Sequence, residues 1–344
     1  MKHTLLLDVG ATHTRVAELD PAHAGPQFAA ATGLAESRAL TGLPALVEHL
    51  GHERARTGAT RLVGGLAAAL KADRRSAHFT NWDATLDVED LWSLGFDEVL
   101  LLNDLECSAW GLGAALEAGE HGPGLELLGA ELEEAAAGEL RVPVVGNRVL
   151  IAPGTGLGSA GLVDLGPGAQ PRWRPVACEL QHMEVPAHPG FGVRMLERCA
   201  GHLGRLPTWE DFVSGRGLEL LDALQRGDLD GPRRAAALIG AAGDEPALAA
   251  LAGYYGLLGR YARALAAAYM ALGGVFIAGA TTRANRSAIR ASGLLAAFRE
   301  PSVLTGSGME SVPVFLVPGE LNLLGARAVA ELEPAASGLA WARA

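Results

Sequence analysis

The amino-acid sequence predicts an α/β fold made of two similarly organised halves. Each half opens on two apolar runs joined by a short glycine-containing turn, which is the pattern of a β-hairpin. The first hairpin begins at Leu5 and the second at Val149. Apolar residues at helical spacing follow both hairpins, so strands and helices are mixed along the chain.

Length and composition agree with a globular chain of this class. Its 344 residues suggest two domains or one large α/β domain, since domains contain roughly 100 to 200 residues. With 49% hydrophobic and 19% charged residues, the chain can bury an apolar core without crosslinks. Its three cysteines are widely spaced and form no Cys-x-x-Cys pair, which excludes a disulfide scaffold and favours a reducing cytoplasm.

Charge and hydropathy narrow the class of partner. The 28 Lys and Arg residues against 39 Asp and Glu residues give a net charge of −11, which would repel a nucleic-acid backbone. The three leucines before Asp8 are too few for a signal peptide. The longest alanine-rich stretch, 246–270, contains Arg260 and Arg263 and indicates a buried helix. We therefore expect a cytoplasmic protein that binds neither nucleic acid nor membrane.

The first half places two polar residues at the end of a strand. Its predicted elements are strands at 5–10 and 14–19, a third short strand near 27–31, a helix at 40–54, a strand at 61–69 and a helix at 88–94. A short apolar run at 99–102 then ends at Asn103 and Asp104, and a helix is predicted at 108–116. Open α/β sheets bind their ligands at the carboxyl ends of strands, so these two residues are candidates for a site.

The second half repeats the opening pattern. A Gly- and Glu-rich connection at 117–146, which we interpret as a solvated loop, leads into the second hairpin. The following elements are predicted: mostly helix over 191–272 with breaks near four glycines, a strand into a turn at 273–280, a strand at 312–317 and a helix at 322–332.

The first hairpin turn has the composition of an anion site. Consecutive backbone N–H groups in a short glycine turn form a concave nest for anionic oxygens. The turn contains Gly10, Ala11 and Thr12, and Asp8 at its entrance can hold a hydrated divalent cation. An ordinary hairpin with a surface carboxylate is the alternative at this point.

The second turn, residues 154–158, has three glycines in five positions, so the backbone can approach a ligand closely. It includes Gly154, Thr155 and Gly156, and the threonine adds a hydroxyl donor. No Lys-Ser/Thr follows, and the spacing does not match Gly-x-Gly-x-x-Gly, so Walker A and dinucleotide loops are both disfavoured. Two such turns facing one cleft would clamp the β- and γ-phosphates of ATP.

Five segments occur in order along the chain, at 8–12, 103–105, 154–158, 273–279 and 323–326. Together they resemble the motifs of the bacterial ATP-dependent glucokinase family of the hexokinase and actin-like ATPase superfamily. By this resemblance they would be the first phosphate motif, the strand end bearing the catalytic aspartate, the second phosphate motif, the adenosine-side motif and the opening of the last helix. The resemblance covers essentially the whole chain. It implies a two-lobed α/β actin-like ATPase (ribonuclease H-like) fold with a central cleft, with ATP and Mg²⁺ as cofactors and glucose or a related hexose as substrate.

The resemblance also implies a role for each site residue. Asp104 would be the catalytic base, accepting the proton of the sugar 6-hydroxyl as that oxygen attacks the γ-phosphorus. The substrate-binding residues would be Asn81, Asn103, Asp104, Glu179, His182 and Glu210. The ATP-binding residues would be Asp8, Gly10, Ala11, Thr12, Gly154, Thr155, Gly156 and Gly279. Asp8 would hold Mg²⁺, through water.

A domain division and an assembly follow from the same resemblance. It implies a small domain at 1–112 completed by 323–344, a large domain at 113–322, and a homodimer. The reaction would form glucose 6-phosphate at the entry to glycolysis.

Several positions depart from the family pattern and leave alternatives open. Residues other than those usual in the family stand at Ala11, His13, Leu180, Gln181 and Ala280. The chain could therefore be a catalytically impaired sugar-binding or regulatory protein, or a kinase for a different hexose. Carboxylate and imidazole side chains within ten residues also allow a metal site, formed by Glu179, His182, Glu184 and His188.

Overall fold

The chain forms two compact units. The computed structural model describes residues 2–10, 13–20, 36–79, 81–118, 125–129, 143, 145–188, 191–236, 239, 243–279, 282, 285–301, 307–332 and 337–344. Unit 1 comprises Met1–Pro123, Leu165–Ala177 and Glu320–Ala344, and unit 2 comprises Gly124–Asp164 and Cys178–Gly319. The domain boundaries expected from the sequence stay a prediction.

Strands and helices are mixed along the described chain. The strands are β1 (Thr4–Val9), β2 (Thr14–Leu19), β3 (Glu36–Arg38), β4 (Arg61–Leu66), β5 (Ala69–Leu70), β6 (Ser76–Phe79), β7 (Ala84–Asp87), β8 (Glu98–Asn103), β9 (Glu126–Leu127), β10 (Arg148–Pro153), β11 (Leu157–Asp164), β12 (Trp173–Cys178), β13 (Val275–Ile277), β14 (Val314–Leu316) and β15 (Ala342–Arg343). The helices are α1 (Leu43–Thr57), α2 (Val88–Ser93), α3 (Asp104–Glu117), α4 (Val193–Leu203), α5 (Gly215–Arg226), α6 (Glu245–Tyr269), α7 (Arg286–Arg290), α8 (Leu294–Phe298) and α9 (Asn322–Glu331).

The main sheet of unit 1 brings three strand ends to one edge. Its strand order is β15-β8-β4-β1-β2-β3. β1 and β2 form an antiparallel hairpin, whereas β1, β4 and β8 run parallel. Val9, Leu66 and Asn103 are in register, so the carboxyl ends of the three parallel strands meet there.

Both faces of this sheet are covered by a core cluster. Successive side chains of a strand point to opposite faces, so neighbouring residues of β1 belong to different clusters. Leu5 and Leu7 of β1 belong to one core cluster together with Leu46 of α1. Leu6, between them, belongs to a second cluster with Trp110 of α3 and apolar residues of α9. The near-continuous apolar sequence of β1 is therefore that of a strand buried on both sides.

Helices α3 and α9 pack with their backbones in contact. A Cβ on Gly325 would overlap the carbonyl oxygen of Cys107 and lie 2.9 Å from the backbone nitrogen of Gly111. Only glycine fits this crossing. The close packing places Asn322, the first residue of α9, beside the sheet edge that carries Asp8.

The sheet of unit 2 repeats this arrangement. It contains the strand order β11-β10-β13-β14-β9, with β10 and β11 antiparallel and β10, β13 and β14 parallel. Ile151 of β10 and Ile277 of β13 share a core cluster with Tyr261 of α6. Helix α6 begins after Asp244, whose side chain caps it by accepting from the N–H of Ala247. The second glycine turn thus follows the carboxyl end of a parallel strand.

Most of the predicted elements are confirmed. Both hairpins, the strand that ends at Asn103 and the last helix lie where the sequence predicts them. The interpretation of 117–146 as a solvated loop is wrong in part, because β9 pairs with β14 and the flanking Leu125 and Leu128 are buried. The third strand predicted near 27–31 lies outside the described residues. Within the part of the chain that is described, no helix is both long and apolar enough to cross a bilayer.

Candidate active site

Two of the predicted carboxylates lie at the same sheet edge of unit 1. Asp8 is near the end of β1 and Asp104 directly follows β8, with β4 between these strands. Neighbouring strands are about 4.8 Å apart, so β1 and β8 are separated by roughly 10 Å. The fold thus brings the residue predicted to hold the cation and the predicted base to one edge.

Asn103 and Asp104 form the beginning of helix α3. Asn103 is the N-cap residue, and its Oδ1 accepts from the backbone N–H groups of Leu105 at 3.0 Å and Glu106 at 3.4 Å. Asp104 Oδ1 accepts from the Leu105 N–H group at 2.9 Å. Helix N-termini favour negative charge, so this position suits a carboxylate.

Asp8 is buried and held by two side chains. Asn322 donates from Nδ2 to Asp8 Oδ1 at 2.7 Å, and Arg15 donates from Nη1 to Asp8 Oδ2 at 3.1 Å. Arg15 also contacts Glu320 Oε2 at 3.2 Å. Burial raises the pKa of Asp8 to about 6, an effect that outweighs the lowering by Arg15. The carboxyl group therefore titrates close to neutral pH.

Arg15 and Asn322 are site residues that the sequence reasoning missed. A signal for Arg15 was present, because the hairpin register places it directly opposite Asp8 on the neighbouring strand. Nothing local points to Asn322, which is 314 residues from its partner. Gly65 makes room for it, since a Cβ there would overlap Asn322 Oδ1.

The buried Asp8 predicts a pH-dependent difference between the wild type and an Asp8→Asn variant. The ordinary pKa is 3.8, whereas folded Asp8 keeps its proton up to about pH 6. Between these values the folded state binds more protons than the unfolded state, so raising the pH destabilises it. The wild-type free energy of unfolding should fall by about 3 kcal/mol relative to that of the variant from about pH 4 to about pH 7.

Urea titrations of both proteins at several pH values, with EDTA present, measure this difference. The comparison between the two proteins cancels the contributions of other carboxylates. Parallel pH profiles would contradict a raised pKa at Asp8.

The second glycine turn, in unit 2, is tied to the start of helix α5. The Gly154 N–H group donates to the carbonyl oxygen of Gly156 at 2.8 Å, and the Gly215 N–H group donates to that of Gly154 at 2.8 Å. Glu210 Oε2 accepts from the Leu157 N–H group at 3.1 Å. The carboxylate of Glu210 is therefore held against the turn that is predicted to bind phosphate.

The sugar-site candidates of unit 2 lie close together. The 3₁₀ helix Leu180–His182 brings His182 Nε2 to 3.3 Å from Glu179 Oε2, and both side chains are exposed. The backbone N–H group of Glu210 donates to the carbonyl oxygen of Gln181 at 3.0 Å. His182 and Glu210 line a pocket of about 510 Å³. The structure thus groups three of the predicted sugar-binding residues.

The other predicted site residues that the structure describes lie in turns or follow a strand. Gly10 closes the first turn by donating to the carbonyl oxygen of His13 at 2.9 Å. Asn81 is exposed in the turn between β6 and β7. Gly279 follows β13 with φ at 96°, and Thr155 is exposed in the second turn. Three further positions lie outside the described residues, namely Ala11, Thr12 and Ala280.

The alternative metal site is not formed. Among the residues that the structure describes, no three His, Cys, Asp or Glu side chains are grouped so that they could hold a metal ion. The interpretation of the histidine-containing segment as a metal centre is therefore wrong. Its residues were Glu179, His182, Glu184 and His188.

The mixed sheets, the two glycine turns and the sheet-edge carboxylates belong to an actin-like ATPase fold. The glucokinase from Balamuthia mandrillaris in complex with glucose aligns with a TM-score of 0.74 at 20% identity, covering 96% of this chain and 93% of that one. A ROK family glucokinase from Streptomyces griseus in complex with glucose and AMPPNP aligns with a TM-score of 0.57 at 18% identity, covering 95% and 98%. These likenesses show the fold.

The sequence comparisons show the family. The glucokinase family profile matches residues 5–333. The glucokinase of Pseudomonas paraeruginosa (strain DSM 24068 / PA7) is 35% identical over 240 residues, which are 68% of this chain and 65% of that protein. The chain belongs to the glucokinase family and is a hexose kinase.

Proposed function

We propose that this hexose kinase transfers the γ-phosphoryl group of ATP to the 6-hydroxyl of glucose, with Asp104 as the base. The observation that carries the assignment of the base is the position of Asp104 at the N-terminus of α3, on the same sheet edge as Asp8. Phosphorylation of glucose is the activity for which the family is named. A solved relative contains glucose together with AMPPNP, an ATP analogue, which supports both substrates.

In the proposed reaction, the oxygen of the sugar 6-hydroxyl attacks the γ-phosphorus while Asp104 accepts the hydroxyl proton. The new bond joins this oxygen to phosphorus, and the bond from phosphorus to the departing ADP oxygen breaks. Phosphoryl transfer depends mainly on positioning and on neutralising negative charge. The N–H groups of Gly10 and Gly154 donate within their own turns, so we assign the neutralising of charge on the phosphate oxygens to other backbone N–H groups, those of Thr155 and Gly156 in the second turn.

Asp8 is the residue proposed to hold Mg²⁺, through water. The donor type fits, because Mg²⁺ prefers oxygen ligands and is often bound by one or two carboxylates with waters and substrate phosphates. Each carboxylate oxygen of Asp8 accepts one hydrogen bond from Asn322 or Arg15, which leaves lone pairs for a bound water. When bound, Mg²⁺ would neutralise charge on the transferred phosphoryl group.

Hydrogen bonds to the sugar hydroxyls would determine which hexose is used. We assign this role to Asn81, Asn103, Glu179, His182 and Glu210. A polar group left without its partner by the wrong sugar costs about 1 to 3 kcal/mol, so several such groups together discriminate strongly. Gly10, Gly154, Thr155, Gly156 and Gly279 are assigned to ATP, as are Ala11 and Thr12. We further propose that the enzyme acts as a homodimer in the cytoplasm, at the entry to glycolysis.

A coupled assay of ADP release tests the proposed activity. Glucose, fructose, mannose and N-acetylglucosamine are compared at saturating ATP, each with Mg²⁺ and again with excess EDTA. We expect the highest kcat/KM with glucose and no turnover with EDTA. Absence of sugar-dependent ADP release would support an impaired protein instead, and a higher kcat/KM with another sugar would replace glucose as the substrate.

A further inference from the structure

A buried chain of hydrogen bonds ends at the carboxylate of Glu179. The Tyr261 hydroxyl donates to Ser159 Oγ at 2.8 Å, and the Ser159 hydroxyl donates to Gln181 Oε1 at 3.2 Å. Gln181 then donates from Nε2 to Glu179 Oε2 at 2.6 Å. We call these four side chains the Gln181 relay. All of its donors point in the same direction, toward Glu179.

The relay is buried apart from its last member. Tyr261, Ser159 and Gln181 are 0%, 2% and 6% exposed, whereas the side chain of Glu179 is 68% exposed. The three buried residues come from α6, β11 and the 3₁₀ helix Leu180–His182. Buried polar groups are costly when they lack a partner, so each hydroxyl and amide of the relay is held in one orientation.

Ser159 determines which end of the Gln181 amide faces Glu179. Because Ser159 Oγ accepts the hydrogen bond from Tyr261, its own proton is free to be donated to the amide oxygen of Gln181. The amide N–H₂ group is consequently directed at Glu179. Since this group can only donate, Glu179 Oε2 is held as an acceptor.

Gln181 also reaches Glu210 through its backbone. Its carbonyl oxygen accepts from the Glu210 N–H group at 3.0 Å. Gln181 is therefore bonded to both carboxylate residues that the proposed function assigns to glucose in unit 2. A glycine at this position would supply the same backbone carbonyl group but no side-chain amide.

We propose that Gln181 is a positioning residue that holds the Glu179 carboxylate ready to accept from a glucose hydroxyl. The proposal rests on the sugar-binding role assigned to Glu179 above. An exposed glutamate samples several rotamers, and restricting them on binding opposes affinity. A relay anchored in the core restricts these rotamers before the sugar arrives. The side chain of Gln181 is buried beneath the site, so it supports Glu179 and does not add bulk at the surface.

A double-mutant cycle tests the proposal. It compares the wild type, Gln181→Leu, Glu179→Ala and the double variant by their kcat/KM for glucose at saturating ATP. Leucine keeps much of the side-chain volume but lacks the amide donor. With Glu179 present, we expect Gln181→Leu to lower kcat/KM about tenfold, mainly through a higher KM. In the Glu179→Ala background the same substitution should change it by less than about twofold, because the relay then holds nothing.

Two further variants serve as matched controls. Ser159→Ala keeps the Gln181 amide but removes the hydroxyl that orients it, so we expect a smaller loss of kcat/KM than in Gln181→Leu. Gln181→Met, with a flexible side chain, replaces the leucine variant if that variant does not fold. The KM for ATP and the midpoint of thermal unfolding report whether the rest of the protein is intact.

The outcomes separate three statements: the role of Gln181, the role of Glu179 and the proposed function. Equal losses in both backgrounds would indicate a purely structural role for Gln181 and overturn the proposal, as would an unchanged kcat/KM in both the leucine and the methionine variants. An unchanged kcat/KM in Glu179→Ala would instead remove Glu179 from the sugar site, and the proposal with it. If the wild type does not phosphorylate glucose, the proposed function itself is refuted. The wild-type assay shows this before any variant is compared.

Discussion

Replacement of Asp104 by asparagine is expected to lower kcat by about a hundredfold or more while leaving the KM for glucose nearly unchanged. Asparagine has the same shape, and its Oδ1 can still accept from the Leu105 N–H group, so the start of helix α3 should be preserved. An amide cannot take up the proton that leaves the sugar hydroxyl. The loss should therefore affect the chemical step and spare the binding of glucose.

Asp97→Asn is the matched control for this experiment. Asp97 is exposed and directly precedes strand β8, whereas Asp104 directly follows it. Each variant loses one carboxylate, at opposite ends of strand β8, and only the variant at the carboxyl end of the strand should lose activity. The coupled ADP assay gives kcat and KM for both. An Asp104→Asn variant that retains most of its kcat would remove Asp104 from the role of base.

Gly325→Ala should have the largest effect on stability. The added Cβ would overlap the carbonyl oxygen of Cys107 and lie 2.9 Å from the backbone nitrogen of Gly111. Two backbones cannot yield as a flexible side chain can, so helices α3 and α9 would have to separate. We expect a loss of more than about 4 kcal/mol in the free energy of unfolding. Activity should also fall, because α9 carries Asn322, the partner of Asp8.

Gly256→Ala provides the control, since Gly256 lies within helix α6 and a Cβ there would meet no atom within 4 Å apart from the nearby backbone of its own helix. Alanine is favoured over glycine in a helix, so this variant should be more stable than the wild type by about 0.5 to 1 kcal/mol. Thermal unfolding followed by circular dichroism compares the two variants. A midpoint for Gly325→Ala close to that of the wild type would contradict the backbone contact between the helices.

Much of the fold could be predicted from local patterns in the sequence. The hairpin of β1 and β2 and that of β10 and β11 follow from apolar runs on either side of a glycine turn. Strand β9 was missed because two residues in a polar, glycine-rich connection carry no periodicity. Its pairing depends on β14, which is distant in the chain and provides the neighbouring edge.

Only part of the candidate site could be predicted from the sequence, namely the residues whose position follows from the neighbouring strands and turns. The position of Asp104 directly after a strand could be predicted from the residues around it, although the helix begins at Asp104 and not at the predicted residue 108. The contact of Glu210 with the second glycine turn could not, because its partner Leu157 is 53 residues away. In the sequence, Gln181 is only a departure from the family pattern, and its buried contacts alone indicate a use for the side-chain amide.

The sequence by itself determined the order of strands, turns and helices, the family resemblance and the chemical types present at the site. These properties depend on residues that are neighbours in the chain, where periodicity and turn composition act directly. Only the tertiary structure decided how Asp8 and Glu179 are held. Asp8 is held by Asn322, 314 residues away, and Glu179 is held by the nearby Gln181, which bonds to Ser159 and through it to Tyr261, in a contact across 102 residues. Such partners are set by how distant segments pack, since a side-chain hydrogen bond requires its atoms to meet within about 3 Å, and no local pattern encodes that meeting.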